Sequence, residues 1–395
     1  MKKLMLAIVG LMMSTVVFSQ SCLDDVWMCL RQNQAPKAKK LLEGCMAANP
    51  ESAQVWLMKA NVYVNLYNMD QKKISADPNY TPRYPDALLT ANEAFVKALE
   101  LDPKVEPKTG MLSAIGGQKL CAEPFYNMGI QAEEKGDYQN AVKYFTLAAK
   151  NYELAKVNNN AAAAYLQLAL AYGKLNDQAN YKHMLQKSIA CAPAAYPACY
   201  TELYYIYQAE NDTVNCGKIL DKGFAALPAD KHGELVEAQM NYYSMTDQKD
   251  KLMALCDTML KNNPGDLTTV INCANYLSNF KAYDKAEEIL TEALAKDPNN
   301  FKLNSQMAYR YFMEVVDYED RIEAAKNAKQ WGEMNPLREA QKPVLQKAHD
   351  WSDKAYKINP DDRQNNIMLQ QLKVKLLIPV PEDLKAKVDS YRHKE

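Results

Sequence analysis

The stretch PFYNMGIQAEEKGDYQNAVKYFTLAA, residues 124–149, decides the fold. It places small residues at Gly129 and Ala141 and large apolar residues at Phe125 and Phe145. A small residue lets one helix approach another closely, and the large side chains fill the spaces beside it. The stretch therefore predicts two antiparallel helices joined by a turn that precedes Tyr138.

A proline returns at the end of successive copies of this pattern. Pro193, Pro228, Pro264 and Pro298 follow one another at intervals of 35, 36 and 34 residues. A period of this length is typical of an array of helix pairs, because one pair cannot bury its apolar face without a neighbour. Function is therefore expected on the surface of stacked helices before it is expected in a pocket.

The pattern resembles the tetratricopeptide repeat, whose signature is W-x2-L-G-x2-Y, then A-x3-F, then P. The residues that carry the resemblance in the best copy are Phe125, Met128, Gly129, Ala132, Gly136, Tyr138, Ala141, Phe145 and Ala148. Further copies lead in the same frame to each of the four later prolines. The resemblance covers most of the chain and implies an all-α fold, a right-handed α-solenoid of about eight helix pairs.

The same frame predicts how the chain is divided. The segments are a signal peptide at 1–20, N-terminal repeats at 21–103 with an insertion at 66–84, a linker or hinge at 104–124, the main array at 125–360 with an insertion at 318–342, and C-terminal capping helices at 361–395. Prolines and glycines make the 104–124 stretch the expected break in the stack. The capping helices should cover the last repeat and present a polar outer face.

The first twenty residues have the charge order of a secretory signal peptide. Lys2 and Lys3 precede an apolar run from Leu4 to Val17, which is short for a membrane span. We expect cleavage near residues 19–21 and a mature chain without a transmembrane segment. The sequence therefore predicts an exported protein that is periplasmic, associated with the cell envelope or secreted.

Cys22 offers an alternative to ordinary cleavage. A cysteine just after an exported apolar run could carry the lipid of a bacterial lipoprotein. The preceding residues Ser19, Gln20 and Ser21 depart from the usual Leu-Ala-Gly type of recognition sequence. The sequence therefore favours an unacylated chain and leaves a lipid anchor at Cys22 as the second reading.

Composition and motifs argue against nucleic-acid binding and against catalysis. Lysine and arginine number 47 and aspartate and glutamate 48, so the basic excess that drives phosphate-backbone binding is absent from the sequence. The histidines are scattered without metal-binding spacing, and GxSxG and GxGxxG motifs do not occur. We expect no catalytic residues, no metal and no cofactor.

Nine cysteines in an exported chain raise the question of disulfides. The repeat frame puts Cys29 and Cys45 on the two helices of the first pair, and Cys191 and Cys199 on either side of one proline-rich turn. These two pairs are the candidate bridges. The other cysteines in the repeats are expected to be small buried residues.

The resemblance also implies where a partner would bind. In this family the concave surface is lined by the first helix of each pair, at the second, fifth, ninth and twelfth positions. In this chain those positions supply Asn61, Tyr126, Tyr205, Asn241, Asn275, Tyr309 and Phe312. Amides and aromatic rings suit an extended peptide, whose backbone needs hydrogen bonds and whose side chains need shallow pockets.

The leading hypothesis is thus a non-catalytic exported scaffold that binds a protein or peptide on its concave surface. One alternative is an envelope-attached accessory protein that binds glycans or nutrients. Another is an enzyme whose site is built by the insertions at 66–84 and 318–342, although neither insertion offers a nucleophile beside a base.

Overall fold

The computed structural model describes residues 22–392, and within that range all regular secondary structure is helical. The predicted signal peptide lies outside the described residues. The chain divides into an N-terminal unit that ends at Leu235 and a C-terminal unit that begins at Val236. Among the described helices, none is both long and apolar enough to cross a membrane.

The helices of the N-terminal unit are α1 (22–31), α2 (Ala35–Ala48), α3 (Ala53–Ala76), α4 (Ala87–Leu101), α5 (Ala114–Glu134), α6 (Tyr138–Leu154), α7 (Asn158–Lys174), α8 (Gln178–Cys191), α9 (Ala198–Ala209) and α10 (Thr213–Ala226). Consecutive helices pack in pairs, α3 with α4, α5 with α6, α7 with α8 and α9 with α10. The decisive stretch behaves as predicted. A side chain on Gly129 would place its Cβ 2.6 Å from the Phe145 ring, so only glycine lets α5 and α6 approach this closely.

The C-terminal unit begins inside α11 (Gly233–Met245) and continues with α12 (Lys249–Asn262), α13 (Leu267–Asn279), α14 (Tyr283–Lys296), α15 (Phe301–Asn327), α16 (Trp331–Ile358), α17 (Arg363–Lys375) and α18 (Glu382–Arg392). Its core contains the small residues Ala274 and Ala286 beside the large residues Leu290 and Tyr311. The predicted capping helices are α17, which packs on α16, and α18, which packs on α17.

A residue with positive φ marks the turn inside successive pairs. Gly136 has φ 73° between α5 and α6, and Asn176 and Asn211 have φ 58° in the next two pairs. Asp247 and Lys281 have φ 56° and 59° at the same turn of the C-terminal unit. The left-handed conformation ends one helix and lets the chain reverse into the next. The turn is therefore one shape repeated with different residues.

Side-chain caps begin helices in both units. In the N-terminal unit the carboxylates of Asp137, Asp177 and Asp212 accept a backbone N–H at the start of the second helix of a pair. In the C-terminal unit the side chains of Asp266, Asn300 and Asp362 cap α13, α15 and α17. Helices α13 and α15 are first helices of their pairs, and in the N-terminal unit the Ser113 hydroxyl likewise caps the first helix α5. Such bonds satisfy backbone donors that have no partner inside the helix.

The prediction of a linker over 104–124 was wrong for its second half. Helix α5 begins at Ala114 and contains both Gly117 and Pro124. A Cβ at Gly117 would stand 2.0 Å from Cζ of Phe95, which shows that this glycine permits close packing against α4. Gly117 therefore marks contact between helices where the sequence had indicated a flexible break.

The two insertions extend existing helices. Helix α3 runs to Ala76, and its buried Asp70 accepts hydrogen bonds from the Tyr80 hydroxyl at 3.0 Å and from the Tyr84 backbone N–H at 2.6 Å. These bonds hold the following loop against the helix. The second insertion, 318–342, lengthens α15 and α16, which meet at residues 328–330. The insertion is helical on both sides of that turn.

Candidate partner-binding groove

A groove in the C-terminal unit brings together three of the predicted contact residues. Asn275 on α13 and Tyr309 and Phe312 on α15 line a cavity of about 610 Å³. Residues three and four apart on a helix face the same way, so Ile271 and Asn275 line it from α13. Helix α17 closes the other side. We call this cavity the α13–α15–α17 groove.

The lining of this groove carries no carboxylate, ammonium, guanidinium or imidazole group. Its residues are Ile271, Asn275, Ser305, Gln306, Tyr309, Phe312, Gln364, Asn365, Ile367, Met368 and Gln371. Amides and hydroxyls alternate with apolar side chains. One of the hydroxyls is the weakly acidic phenol of Tyr309. Such a surface offers hydrogen bonds and apolar contacts without favouring a ligand of either charge.

Two side chains in the groove have hydrogen-bonding capacity that a ligand could use: Gln306 as a donor and Tyr309 as an acceptor. Nε2 of Gln306 is buried and has no hydrogen-bond partner in the described part of the chain. The Tyr309 hydroxyl donates to Oδ1 of Asn279 at 2.7 Å, which fixes its ring. Burial raises the pKa of Tyr309, so the hydroxyl stays protonated at neutral pH. An unpaired buried donor is costly, and a ligand carbonyl would relieve that cost.

Helix α17 is held in place by a buried pair of hydrogen bonds. The Ser352 hydroxyl donates to Oδ1 of Asn365 at 3.0 Å, and Nδ2 of Asn365 donates to the Ser352 carbonyl at 3.0 Å. Neither residue is exposed to solvent. The α17 wall of the groove is thereby fixed to α16.

Three further predicted contact residues have a different environment. Tyr126 is half-buried and packs edge-on against Phe145, with ring centroids 5.6 Å apart. Tyr205 is 40% exposed and packs edge-on against Tyr204. Asn241 is half-buried on α11 and does not line the α13–α15–α17 groove. None of these placements assigns a role in binding.

The seventh predicted contact residue, Asn61, is not available to a partner. It is only 3% exposed. Its Oδ1 accepts the backbone N–H of Leu112 at 2.8 Å, and its Nδ2 donates to the Leu112 and Leu57 carbonyls at 3.1 and 3.0 Å. Asn61 therefore fastens the segment before α5 to helix α3, and its prediction as a groove residue was wrong.

Sequence reasoning missed the contribution of α17 and Gln306. Helix α17 was predicted as a cap with a polar outer face, and its polar residues were not considered as a binding wall. The signal was present in RQNNIMLQQLK, residues 363–373, where uncharged amides such as Gln364 and Gln371 outnumber charged side chains. Gln306 falls outside the four positions that the family resemblance indicates.

The candidate disulfides require correction. A disulfide joins Cys22 to Cys45, whose Cα atoms are 5.9 Å apart, while Cys29 is a buried free thiol. Cys22 and Cys29 lie seven residues apart, which is two turns along one face of α1. The repeat frame therefore identified the correct face of α1 but selected a cysteine two turns away from the bonded one. Cys191 and Cys199 are also free. The Cys199 thiol donates to the Ser188 hydroxyl at 3.6 Å.

In the described residues no group of three or more histidine, cysteine, aspartate or glutamate side chains is placed to hold a metal ion. The expectation of no metal and no cofactor remains a prediction from the sequence.

The helix pairs, their repeated left-handed turns and the buried small residues give this chain a tetratricopeptide-repeat fold. No family model and no curated protein matches the sequence. Among solved structures it is similar to a tetratricopeptide repeat protein from Parabacteroides merdae, at 14% identity and a TM-score of 0.40, over 64% of this chain and 98% of that one.

Yeast Tom70 is similar at 15% identity and a TM-score of 0.33, over 95% of each chain. The PilF protein of Pseudomonas aeruginosa is similar at 16% identity and a TM-score of 0.28, over 64% of this chain and 96% of that one. Because the identities and TM-scores are this low, no function is inferred from these similarities. The fold assignment rests on the geometry of this chain.

Proposed function

We propose that this protein is a non-catalytic scaffold that holds an extended segment of a partner protein in the α13–α15–α17 groove. The observation that carries the proposal is the lining itself, which lacks full charges and has an unpaired buried donor at Gln306. An extended peptide presents carbonyl and N–H groups that such amides can bind. Its side chains would enter the apolar spaces beside Phe312 and Met368.

We also propose that the chain is exported and unacylated. The support is the predicted signal peptide together with the Cys22–Cys45 disulfide, since disulfides persist in oxidising compartments. A cysteine sulfur in a disulfide has no thiol left to carry a lipid. Cell fractionation combined with metabolic labelling by a fatty acid tests this: labelled protein in the membrane fraction would favour the envelope-attached accessory protein instead.

The binding proposal is tested by affinity capture from envelope extracts under mild crosslinking. The mature chain serves as bait beside the variant Asn275→Ala plus Tyr309→Ala. A matched control, Asn263→Ala plus Tyr318→Ala, removes the same residue types from the same unit outside the groove lining. We expect the groove variant to lose most of the captured partner and the control to keep it.

The captured partner must then be identified and its segment synthesised. Direct titration of that peptide should give an affinity that falls at least about tenfold in the groove variant, because two polar contacts are lost. Equal capture by the groove variant and the control, with both proteins folded, would contradict the proposal.

A further inference from the structure

A second cavity lies in the N-terminal unit and is independent of the groove. It has a volume of about 850 Å³ and lies between α4 and α6, the second helices of successive pairs. Trp56, Val96, Leu99, Leu147 and Leu154 form its apolar walls. None of the predicted contact residues lines it. Its size and apolar lining are those of a small-molecule site.

The cavity contains a buried polar group without a partner. Gln118 on α5 lines the cavity and is 3% exposed, and its Oε1 makes no hydrogen bond in the described part of the chain. Beside it, Nδ2 of Asn151 donates to Oδ1 of Asn92 at 2.8 Å. An unsatisfied buried carbonyl oxygen is costly to maintain. It is a ready acceptor for an N–H or O–H of a ligand.

Charged side chains surround the same cavity. Lys97 pairs with Glu100 at 3.4 Å. Lys59 and Lys150 form no ion pair within the described residues, and Glu93 is the remaining acid of the lining. Burial lowers the pKa of Lys59, and the charge of Glu93 partly opposes that effect. Two lysines outside ion pairs, Lys59 and Lys150, thus face one glutamate, Glu93, so the lining has a net positive charge.

Lys59 is also fixed in position. Its Nζ lies 4.4 Å from the centre of the Trp56 ring, and Nε1 of Trp56 donates to the Pro50 carbonyl at 2.7 Å. The cation therefore stands beside the apolar wall. A ligand anion there would meet an ammonium group that has already lost part of its hydration.

Two other grooves between successive second helices differ from this one. Between α12 and α14, Lys285 bridges Asp257 at 3.3 Å and Glu288 at 3.4 Å. Between α8 and α10, Nε2 of Gln186 donates to the Tyr207 hydroxyl at 3.2 Å. In the described part of the chain, neither lining contains a buried side-chain atom without a hydrogen-bond partner. The unpaired acceptor of the α4–α6 cavity is thus not a general property of the repeat.

We infer that the α4–α6 cavity binds a small amphipathic organic anion. Its apolar body would lie against Trp56 and the leucines, an N–H or O–H would donate to Oε1 of Gln118, and its acidic group would pair with Lys59 and Lys150. Each of the three parts of such a ligand meets one of the three features of the lining.

Three related probes separate these parts. Indole-3-acetate has an apolar ring, an N–H donor and a carboxylate. 1-Methylindole-3-acetate lacks the donor, and indole-3-acetamide lacks the charge. Ligand-observed NMR titration of the mature full chain should give the tightest binding for indole-3-acetate. We expect it to weaken about fivefold on loss of the donor and about threefold on loss of the charge.

Matched variants assign each effect to its residue. Gln118→Met should abolish the preference for indole-3-acetate over its methylated form. Lys150→Gln, at an exposed side chain, should reduce the preference for the acid over the amide and make binding less salt-dependent. Lys222→Gln in the α8–α10 groove is the control and should change neither preference.

Thermal melts establish that each variant is folded, and Lys150→Gln keeps the test decisive if Gln118→Met is unstable. Equal affinity for the three probes would overturn the inference, as would the absence of binding at millimolar concentration by the folded wild-type chain. Preferences that survive both Gln118→Met and Lys150→Gln would place the probe at another site and would also overturn it.

Discussion

Asn61 in the N-terminal unit and Asn275 in the C-terminal unit occupy the same position of the repeat, the ninth residue of the pattern on a first helix. Asn61 is buried and binds the backbone of Leu112, whereas Asn275 lines an open groove. The difference follows from the connections between pairs. Residues 102–113 separate α4 from α5, while only residues 297–300 separate α14 from α15.

A repeat position therefore does not assign a role by itself. In the N-terminal unit the longer connection folds onto α3 and uses the amide that a partner would need. In the C-terminal unit the short connection leaves the equivalent amide to the groove.

The same substitution at the two asparagines should have unequal results. Asn61→Leu removes three hydrogen bonds and leaves the N–H and carbonyl of the half-buried Leu112 without these partners, so it should lower the free energy of unfolding by about 2 kcal/mol. Asn275→Leu, at a half-buried site, should change it by less than about 0.5 kcal/mol. Urea unfolding followed by circular dichroism measures both.

Hydrogen exchange should localise the loss in Asn61→Leu to α3 and the segment before α5. Equal destabilisation by the two substitutions would remove the contrast between the units.

A second prediction concerns whether the segment before Pro124 is a packed element or a hinge. Gly117→Ala should destabilise the protein by about 2 kcal/mol, because the new methyl group would collide with the Phe95 ring. Gly44→Ala in α2 is the control: nothing lies within 4 Å of its Cβ position, so this change should stabilise by about 0.5–1 kcal/mol. A neutral Gly117→Ala would restore the hinge interpretation.

A third prediction compares a cap that titrates, Asp212 in the N-terminal unit, with one that does not, Asn300 in the C-terminal unit. Hydrogen bonds from the Asn215 backbone and side-chain N–H groups lower the pKa of Asp212. Asp212→Ala should therefore lower the melting temperature by about 2–4 °C at neutral pH. Because the folded-state pKa is below the unfolded one, this stabilisation is complete above pH about 4 and is lost as the pH falls through the folded-state value.

The difference in melting temperature between wild type and Asp212→Ala should accordingly become smaller in acid. Asn300 caps α15 in the C-terminal unit and does not titrate, so the gap between wild type and Asn300→Ala should stay constant over the same range. Melting curves between pH 3 and pH 7 compare the two. If both differences in melting temperature fell in parallel as the pH is lowered, the Asp212 carboxylate would not be the source of the acid dependence.

Much of the fold could be read from the residue pattern because the pattern is local. Gly129 and Phe145 meet between helices that are adjacent in the chain, and the spacing of small and large residues specifies that contact. The error at 104–124 has a different origin. Gly117 looks like a flexible residue in sequence, and only the position of the Phe95 ring shows that it permits close packing.

The candidate site was predicted in part for the same reason. The repeat frame led to Asn275, Tyr309 and Phe312, which lie on successive first helices. It could not show that α17 closes the groove or that Gln306 lacks a partner, since both depend on how helices from separate pairs meet. The same applies to Cys22 and Cys45, which the frame placed on the correct helices without selecting the correct turn.

The sequence alone determined that the described chain is an array of paired helices, because each pair is specified by residues within about forty positions of one another. The tertiary structure decided which polar side chains are used internally and which remain available in cavities. That choice depends on burial and on hydrogen bonds such as the one between Asn61 and Leu112, which join residues that no local pattern connects.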